Sequence, residues 1–181
     1  AGGKAVADVI FGDYNPAGRL PVTFYKSSAQ LPDFEDYNMV GRTYRYLTAE
    51  PLLPFGFGLS YTTFSYGKAR IKKTTIKKEQ VIEFYIPVTN TGKTDGDEVV
   101  QVYLRKINDK AGPRMALRDF RRVHFPAGET RKVHFKLAGN QLEWWNENTR
   151  EMDVHAGMFE ILVGSSSRKE DLKKVGIVHI K

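Results

Sequence analysis

The sequence has no cysteine among its 181 residues. That excludes a disulfide framework, a thiolate zinc site and a cysteine redox centre, and it fits a periplasmic address as well as a cytosolic one. No apolar run approaches the roughly 20 residues that a membrane-crossing helix needs, so no membrane partner is expected. The opening AGGKAVADVI lacks a basic start followed by an apolar stretch, and no export signal is read in this chain. It begins without Met on a Gly-Gly-Lys phrase, which reads as the middle of a longer protein whose upstream part could carry such a signal. Histidine is scarce. His124, His134, His155 and His179 never stand at the i, i+2 or i, i+4 spacing of paired ligands, so no metal is expected. There is no GxGxxG and no phosphate loop, which leaves nucleotide binding without support and no cofactor expected. The GSSS run at Gly164–Ser167 lacks the glycine that follows the serine of a nucleophile elbow, and it reads as a turn.

Charge is plentiful and uneven. Residues 1–63 carry 5 basic and 6 acidic residues, and residues 64–181 carry 23 and 15, within a net charge of +7. A basic domain can hold an acidic polymer through phosphate or carboxylate contacts. Here the cations are spread over strand-like segments with acidic residues between them. No aromatic-glycine signature of a single-strand platform accompanies them. A solvated polar face is the expectation, and nucleic acid is not expected as a partner.

The chain changes grammar along its length. Ala5, Val6, Val9 and Ile10 fall at helical spacing and GDYNPAG is a cluster of breakers, predicting a short helix that ends near Phe11. Arg19–Tyr25 has the β-branched and aromatic content of a short strand, with Pro21 suited to an edge. A helix followed by a strand is half of an α/β repeat and cannot bury its own apolar faces. Val6, Val9, Ile10 and Val22 are therefore expected to find cover on the rest of the chain or in a homodimer through residues 1–25. From residue 26 to 63 no period holds, a length that is uncommon unless the segment packs on something.

After residue 63 the pattern is all-β. Strands are predicted at Phe64–Ile71, Val81–Asn90, Glu98–Lys106, Ala116–Phe125, Thr130–Leu137, Met158–Gly164 and Val175–Ile180, with one more short strand within residues 147–157. Seven strands in just over a hundred residues predict a sandwich. Alternation sets Val133, Phe135 and Leu137 against Lys132, His134 and Lys136, and Val100, Val102 and Leu104 against Gln101 and Tyr103.

Glycoside hydrolysis requires two carboxyl groups roughly 5 to 10 Å apart. Acidic residues cluster at Asp33, Glu35 and Asp36, at Asp95, Asp97 and Glu98, and around Glu143, Glu147, Glu151 and Asp153. None has a sequence setting that predicts the raised pKa of a catalytic acid. Trp144 and Trp145 could form a sugar-stacking platform, but neighbours on a strand point to opposite faces, so one core residue and one edge cover is the competing reading.

Taken in order, FGDYNPAGRLPVTF, GRTYRY, PLLPFGFGLSYTTF, VTNTGKTDGDEVVQVYL and AGMFEILVGSSS resemble the C-terminal part of glycoside hydrolase family 3, the β-glucosidase and β-xylosidase family. Members have a barrel domain with the nucleophilic aspartate, an α/β sandwich domain that often supplies the acid/base, and in many cases a fibronectin type III-like domain. The resemblance implies that residues 1–25 are the last helix and strand of the α/β domain and residues 26–63 a linker. Residues 64–181 are then a fibronectin type III-like, immunoglobulin-like β-sandwich. It implies a parent hydrolase acting on β-linked glucosides or xylosides, periplasmic or secreted, whose catalytic carboxylates lie upstream, with none in this chain. The partners implied are those upstream catalytic domains, and the sandwich has a structural, domain-positioning role.

GRTYRY is similar to the xylosidase-type wording of the family, and a linker of this kind can approach the catalytic cleft. Arg42, Tyr44 and Arg45 are thus implied as substrate-side residues, with pinning of the linker as the competing role. Trp144 and Trp145 enter as substrate-binding under the alternative of a non-catalytic glycan-binding module that uses exposed aromatics or its basic face. Phe55, Phe57, Leu59 and Tyr61 are expected to wedge between the α/β domain and the sandwich, with Gly56 and Gly58 allowing close backbone approach.

Overall fold

The computed structural model describes residues 1–181 and is mainly β. Helix α1 spans Gly2–Ile10 and a one-turn helix α2 spans Thr43–Tyr46. The strands are β1 (Phe64–Tyr66), β2 (Arg70–Ile71), β3 (Thr75–Ile76), β4 (Ile82–Asn90), β5 (Gly96–Lys106) and β6 (Ala116–Phe125). They continue with β7 (Thr130–Leu137), β8 (Trp144–Asn146), β9 (Glu151–Asp153), β10 (Gly157–Gly164) and β11 (Leu172–Ile180).

Two sheets face each other. In the first, β7 pairs along β4 from Ile82 to Thr89, so β1 and β2 must follow one another along the opposite edge of β4. The second runs β3-β11-β10-β5-β6, antiparallel except where β3 joins β11. β8 and β9 form a separate hairpin. The core lies between the sheets because each strand alternates. Ile82, Phe84, Ile86 and Val88 on β4 and Val133, Phe135 and Leu137 on β7 meet Val100, Val102 and Leu104 on β5 and Phe159, Ile161 and Val163 on β10. The Phe84 and Phe135 rings stack across the strand pair at 5.3 Å. This is the predicted sandwich.

Two local expectations are corrected. Arg19–Tyr25 is not a strand: Phe24 makes only an isolated bridge with Leu53. Nearby, Leu20 N–H donates to Phe57 O and Gly56 N–H to Leu20 O, both at 2.8 Å. The segment's backbone groups are met by the linker in place of a sheet. Phe64–Ile71 is broken into β1 and β2, because Gly67 turns in to donate to Pro87 O at 2.8 Å while Pro87, lacking an N–H, returns nothing. The face of β5 opposite Val100, Val102 and Leu104 is closed as well: Tyr103 is fully buried and Gln101 is 3 % exposed, so β5 is enclosed on both faces.

What encloses the far side of β5 is the chain before residue 62. Residues 14–20, α2 and the segment 53–62 lie against the outer face and one end of the second sheet. The helix itself stays uncovered: α1 has no buried residue, and Val6, Ile10 and Val22 are half or more exposed. The cover expected for them is not provided by the sandwich.

Candidate functional site

The strap crosses β5 at Gly56. Its φ of +80° favours glycine, and a Cβ there would stand 2.1 Å from the Gln101 Oε1. Gln101 uses both ends of its amide: Nε2 donates to Gly56 O at 3.1 Å and to Ser165 O, and Oε1 accepts from Tyr103 Oη at 2.6 Å. Burial pushes the Tyr103 phenol well up, so it stays a donor. Ser167 N–H donates to Phe55 O at 2.9 Å, completing a seam that crosses β5.

Tyr44 sits on this seam. Its ring stacks on Phe55 at 4.2 Å and 18° and meets Tyr103 edge-on at 5.9 Å. Its hydroxyl accepts from Leu117 N–H at 3.0 Å. Phe57 is half-buried, whereas Leu59 is 71 % and Tyr61 53 % exposed. Tyr61 still ties the strap to α1, donating from Oη to Val9 O at 2.5 Å. At Gly58 a Cβ would stand 2.2 Å from Gly18 O, so both glycines sit where backbone and side chains approach closely.

Arg42 is committed locally. Its guanidinium donates to the carbonyls of Asn38 and Asp33 at 3.0 and 3.3 Å and to Asp36 O, gathering the loop 33–38. Beyond it Thr43 has φ +51°, an outlier for a β-branched residue. Tyr25 Oη spans this turn, accepting from Thr43 N–H at 3.1 Å and donating to Gly41 O at 3.4 Å. Arg45 is exposed, with its guanidinium carbon 6.0 Å from the Tyr44 ring, and its carbonyl accepts from Arg114 N–H at 2.7 Å.

Trp144 is corrected from sugar platform to core residue. It is 2 % exposed, meets Phe159 edge-on, donates from Nε1 to Asp109 Oδ2 at 2.6 Å, and is covered by the Arg118 guanidinium at 5.0 Å. No face remains for a sugar. Trp145, its strand neighbour, points the other way and is 46 % exposed in the β8–β9 hairpin.

Asp33, Asp36, Asp95 and Asp97 are each engaged by groups close at hand. Asp33 and Asp36 close turns onto the backbone N–H groups of Glu35 and Asn38. Asp95 accepts from Ala127 N–H at 2.8 Å. Asp97 and Glu98 are consecutive on β5 and so face opposite sides. Asp97 lies between Arg122 and His124 at 2.7 Å from each, and these partners outweigh its partial burial to hold its carboxyl below the usual range. No group of three or more histidine, aspartate or glutamate side chains is arranged to hold a metal.

Glu98 was not singled out from its acidic neighbours by sequence. It is 1 % exposed, accepts from Tyr66 Oη at 2.5 Å, and pairs with Arg19 at 2.7 Å. Burial raises its pKa against the opposing pull of those two donors, and burial together with the adjacent carboxylate raises Tyr66 well above its ordinary value. Arg19 comes from the segment before the sandwich, and its Nε is buried without a partner. The signal was present: Glu98 shares its parity with Val100, Val102 and Leu104, so alternation puts a carboxylate on the core side. Phe34 and Tyr37, 93 % and 90 % exposed on the loop gathered by Arg42, were also not marked. Each ring stands beside an aspartate or glutamate in DFEDYN.

Residues 1–61 match the glycosyl hydrolase family 3 C-terminal domain, and residues 98–167 match the fibronectin type III-like domain. The chain is 51 % identical to a xylan 1,4-β-xylosidase of Xylanibacter ruminicola, over 97 % of this chain and 20 % of that protein. It is 35 % identical to a periplasmic β-glucosidase of Salmonella typhimurium, over 93 % of this chain and 24 % of that one. A β-glucosidase structure from Erythrobacter marinus superposes with a TM-score of 0.83 at 33 % identity, covering 99 % of this chain and 24 % of its own. The chain thus spans a fifth to a quarter of the length of these relatives, and no helix in it is long and apolar enough to cross a membrane. With both matches in order and the sandwich bound to its strap, this chain belongs to glycoside hydrolase family 3 and corresponds to the C-terminal part of its members.

Proposed function

We propose that the whole protein hydrolyses β-linked xylosides or glucosides in the periplasm or outside the cell, and that this chain positions its catalytic domains. The observation that carries the reading is the 51 % identity to a xylan 1,4-β-xylosidase across 97 % of the chain, which favours xylosides. The one deeply buried carboxylate among the three acidic clusters, Glu98, is engaged by Arg19 and Tyr66. The catalytic carboxylates are therefore assigned to the upstream domains. The uncovered stripe of α1 and the exposed Leu59 and Tyr61 are the surface against which those domains pack, and a second copy pairing through residues 1–25 is the competing occupant.

Arg42, Tyr44 and Arg45 divide under this reading. Tyr44 and Arg42 hold the strap and its loop, and exposed Arg45 is the one free to reach a substrate. The test is hydrolysis of nitrophenyl β-xyloside and β-glucoside by this chain and by the full-length protein. Turnover by the full-length protein alone is expected. Turnover by the 181-residue chain would overturn the assignment of catalysis to other domains. Light scattering of this chain separates the two occupants: a dimer abolished by Ile10→Asp supports pairing through residues 1–25.

A further inference from the structure

Face residues of the first sheet form a cationic array on the side away from the strap. On β2, Arg70 lies opposite Tyr85 of β4, which lies opposite His134 of β7. Beside this row Lys132 stands 5.3 Å over the Tyr85 ring, and the Tyr85 and His134 rings lie 5.4 Å apart. On the other flank, Glu83 is shared by Lys72 and by Lys136 at 3.1 Å. Glu83 is thus already neutralised twice over.

The charge continues along the sequence. Residues 68–78, KARIKKTTIKK, carry six cations and no acid, all six exposed. Of these only Lys72 and Lys78 have a carboxylate within 4 Å, Glu83 and Asp153. Arg70 and Lys132 have none. The second sheet differs: Arg105 and Lys174 share Glu160, and Arg122 has Asp97. Arg70 and Lys132 flank β4 from its two sides with no carboxylate to neutralise them, and a bound polyanion supplies that counter-charge.

We propose that the outer face of the first sheet binds an acidic polysaccharide, with a sugar ring against the Tyr85–His134 pair and uronic-acid carboxylates on Arg70, Lys132 and Lys136. Flat apolar ring surface set among cations suits a pyranose that carries a carboxylate. A nucleic acid suits it less, because the face offers no helix or ribbon to enter a groove and one tyrosine in place of a series of stacking platforms. The choice of a glycan over other polyanions rests on the glycosidase reading above. Binding here lies on the first sheet, whereas the strap crosses β5 of the second, so a polymer held here leaves the seam at Gly56 and Gln101 undisturbed.

The test is affinity electrophoresis of this chain in gels containing glucuronoxylan, polygalacturonate or neutral arabinoxylan, with a random DNA duplex as control. Retardation by the two acidic glycans and not by arabinoxylan is expected, weakening as salt shortens the screening length to about 8 Å near 0.15 M. Arg70→Glu with Lys132→Glu should cost about tenfold or more in affinity, and Tyr85→Ala about tenfold, while Lys132→Arg retains binding. Chemical-shift changes in the unmodified chain, which need no variant to fold, should map to β2, β4 and β7. No retardation by either acidic glycan overturns the proposal, as do shifts confined elsewhere. So does DNA binding of equal strength that Tyr85→Ala leaves unchanged. In the full-length protein, Arg70→Glu should leave nitrophenyl β-xyloside turnover unaltered. Glycan binding without any such turnover would sink the glycosidase reading and spare the site.

Discussion

The two outer faces of the sandwich are built from the same alternating strands and have opposite fates. On the second sheet, Gln101 and Tyr103 occupy outward positions yet are buried, because the strap lies across them and meets the Gln101 amide with backbone carbonyls. On the first sheet, the outward residues Lys132, His134 and Lys136 stay exposed. A polar residue on an outward strand position is therefore no guide to exposure. What decides is whether another part of the chain brings matched donors and acceptors to it.

The largest expected loss on the covered side comes from Arg19→Ala, which strands the buried Glu98 carboxylate. Removing one partner of such a pair costs about 3–5 kcal/mol, read as a lowered urea midpoint. Gly56→Ala comes next, at about 1–3 kcal/mol, because the new methyl must displace the Gln101 amide and accept a positive φ. Tyr44→Phe removes the acceptor for Leu117 N–H, for about 1–2 kcal/mol, and should speed amide exchange at Leu117.

A pH series sharpens the comparison. Glu98 has a raised pKa in the folded chain, so the native state holds its proton at pH values where the unfolded chain has lost it. Its contribution is complete below the ordinary glutamate value and is lost as pH rises through the raised value. Stability measured from pH 4.5 upward should carry a falling component that Glu98→Gln abolishes; an unchanged slope in that variant would remove the account. The smallest effect belongs to the bare face. Lys136→Ala should change stability by no more than about 0.5 kcal/mol, since it leaves Glu83 with Lys72. A loss like that of Gly56→Ala would show that the bare face too is braced.

Much of this was legible in the sequence. Alternation in β5 and β7 predicted core residues there, and seven strands in just over a hundred residues predicted the sandwich. The strand predicted at Arg19–Tyr25 failed because composition reports that a segment can be extended, while a strand also requires a neighbour with free backbone groups. The partner available to it here is the linker. Trp144 and Trp145 could not be told apart by type, since alternation says that they differ and not which one is inside.

The sequence by itself determined the period-2 pattern, hence the two sheets and the core between them, because burial of alternating apolar side chains is a local property of each strand. It also determined the concentration of cations after residue 63. Only the tertiary structure decided which outward face would be covered, that Arg19 would reach Glu98 from 79 residues away, and that Arg70 of β2 and Lys132 of β7 would flank Tyr85 of β4. Those outcomes depend on which distant segments share a surface, and hydrogen-bond matching and charge across such a surface have no signature within any one stretch of chain.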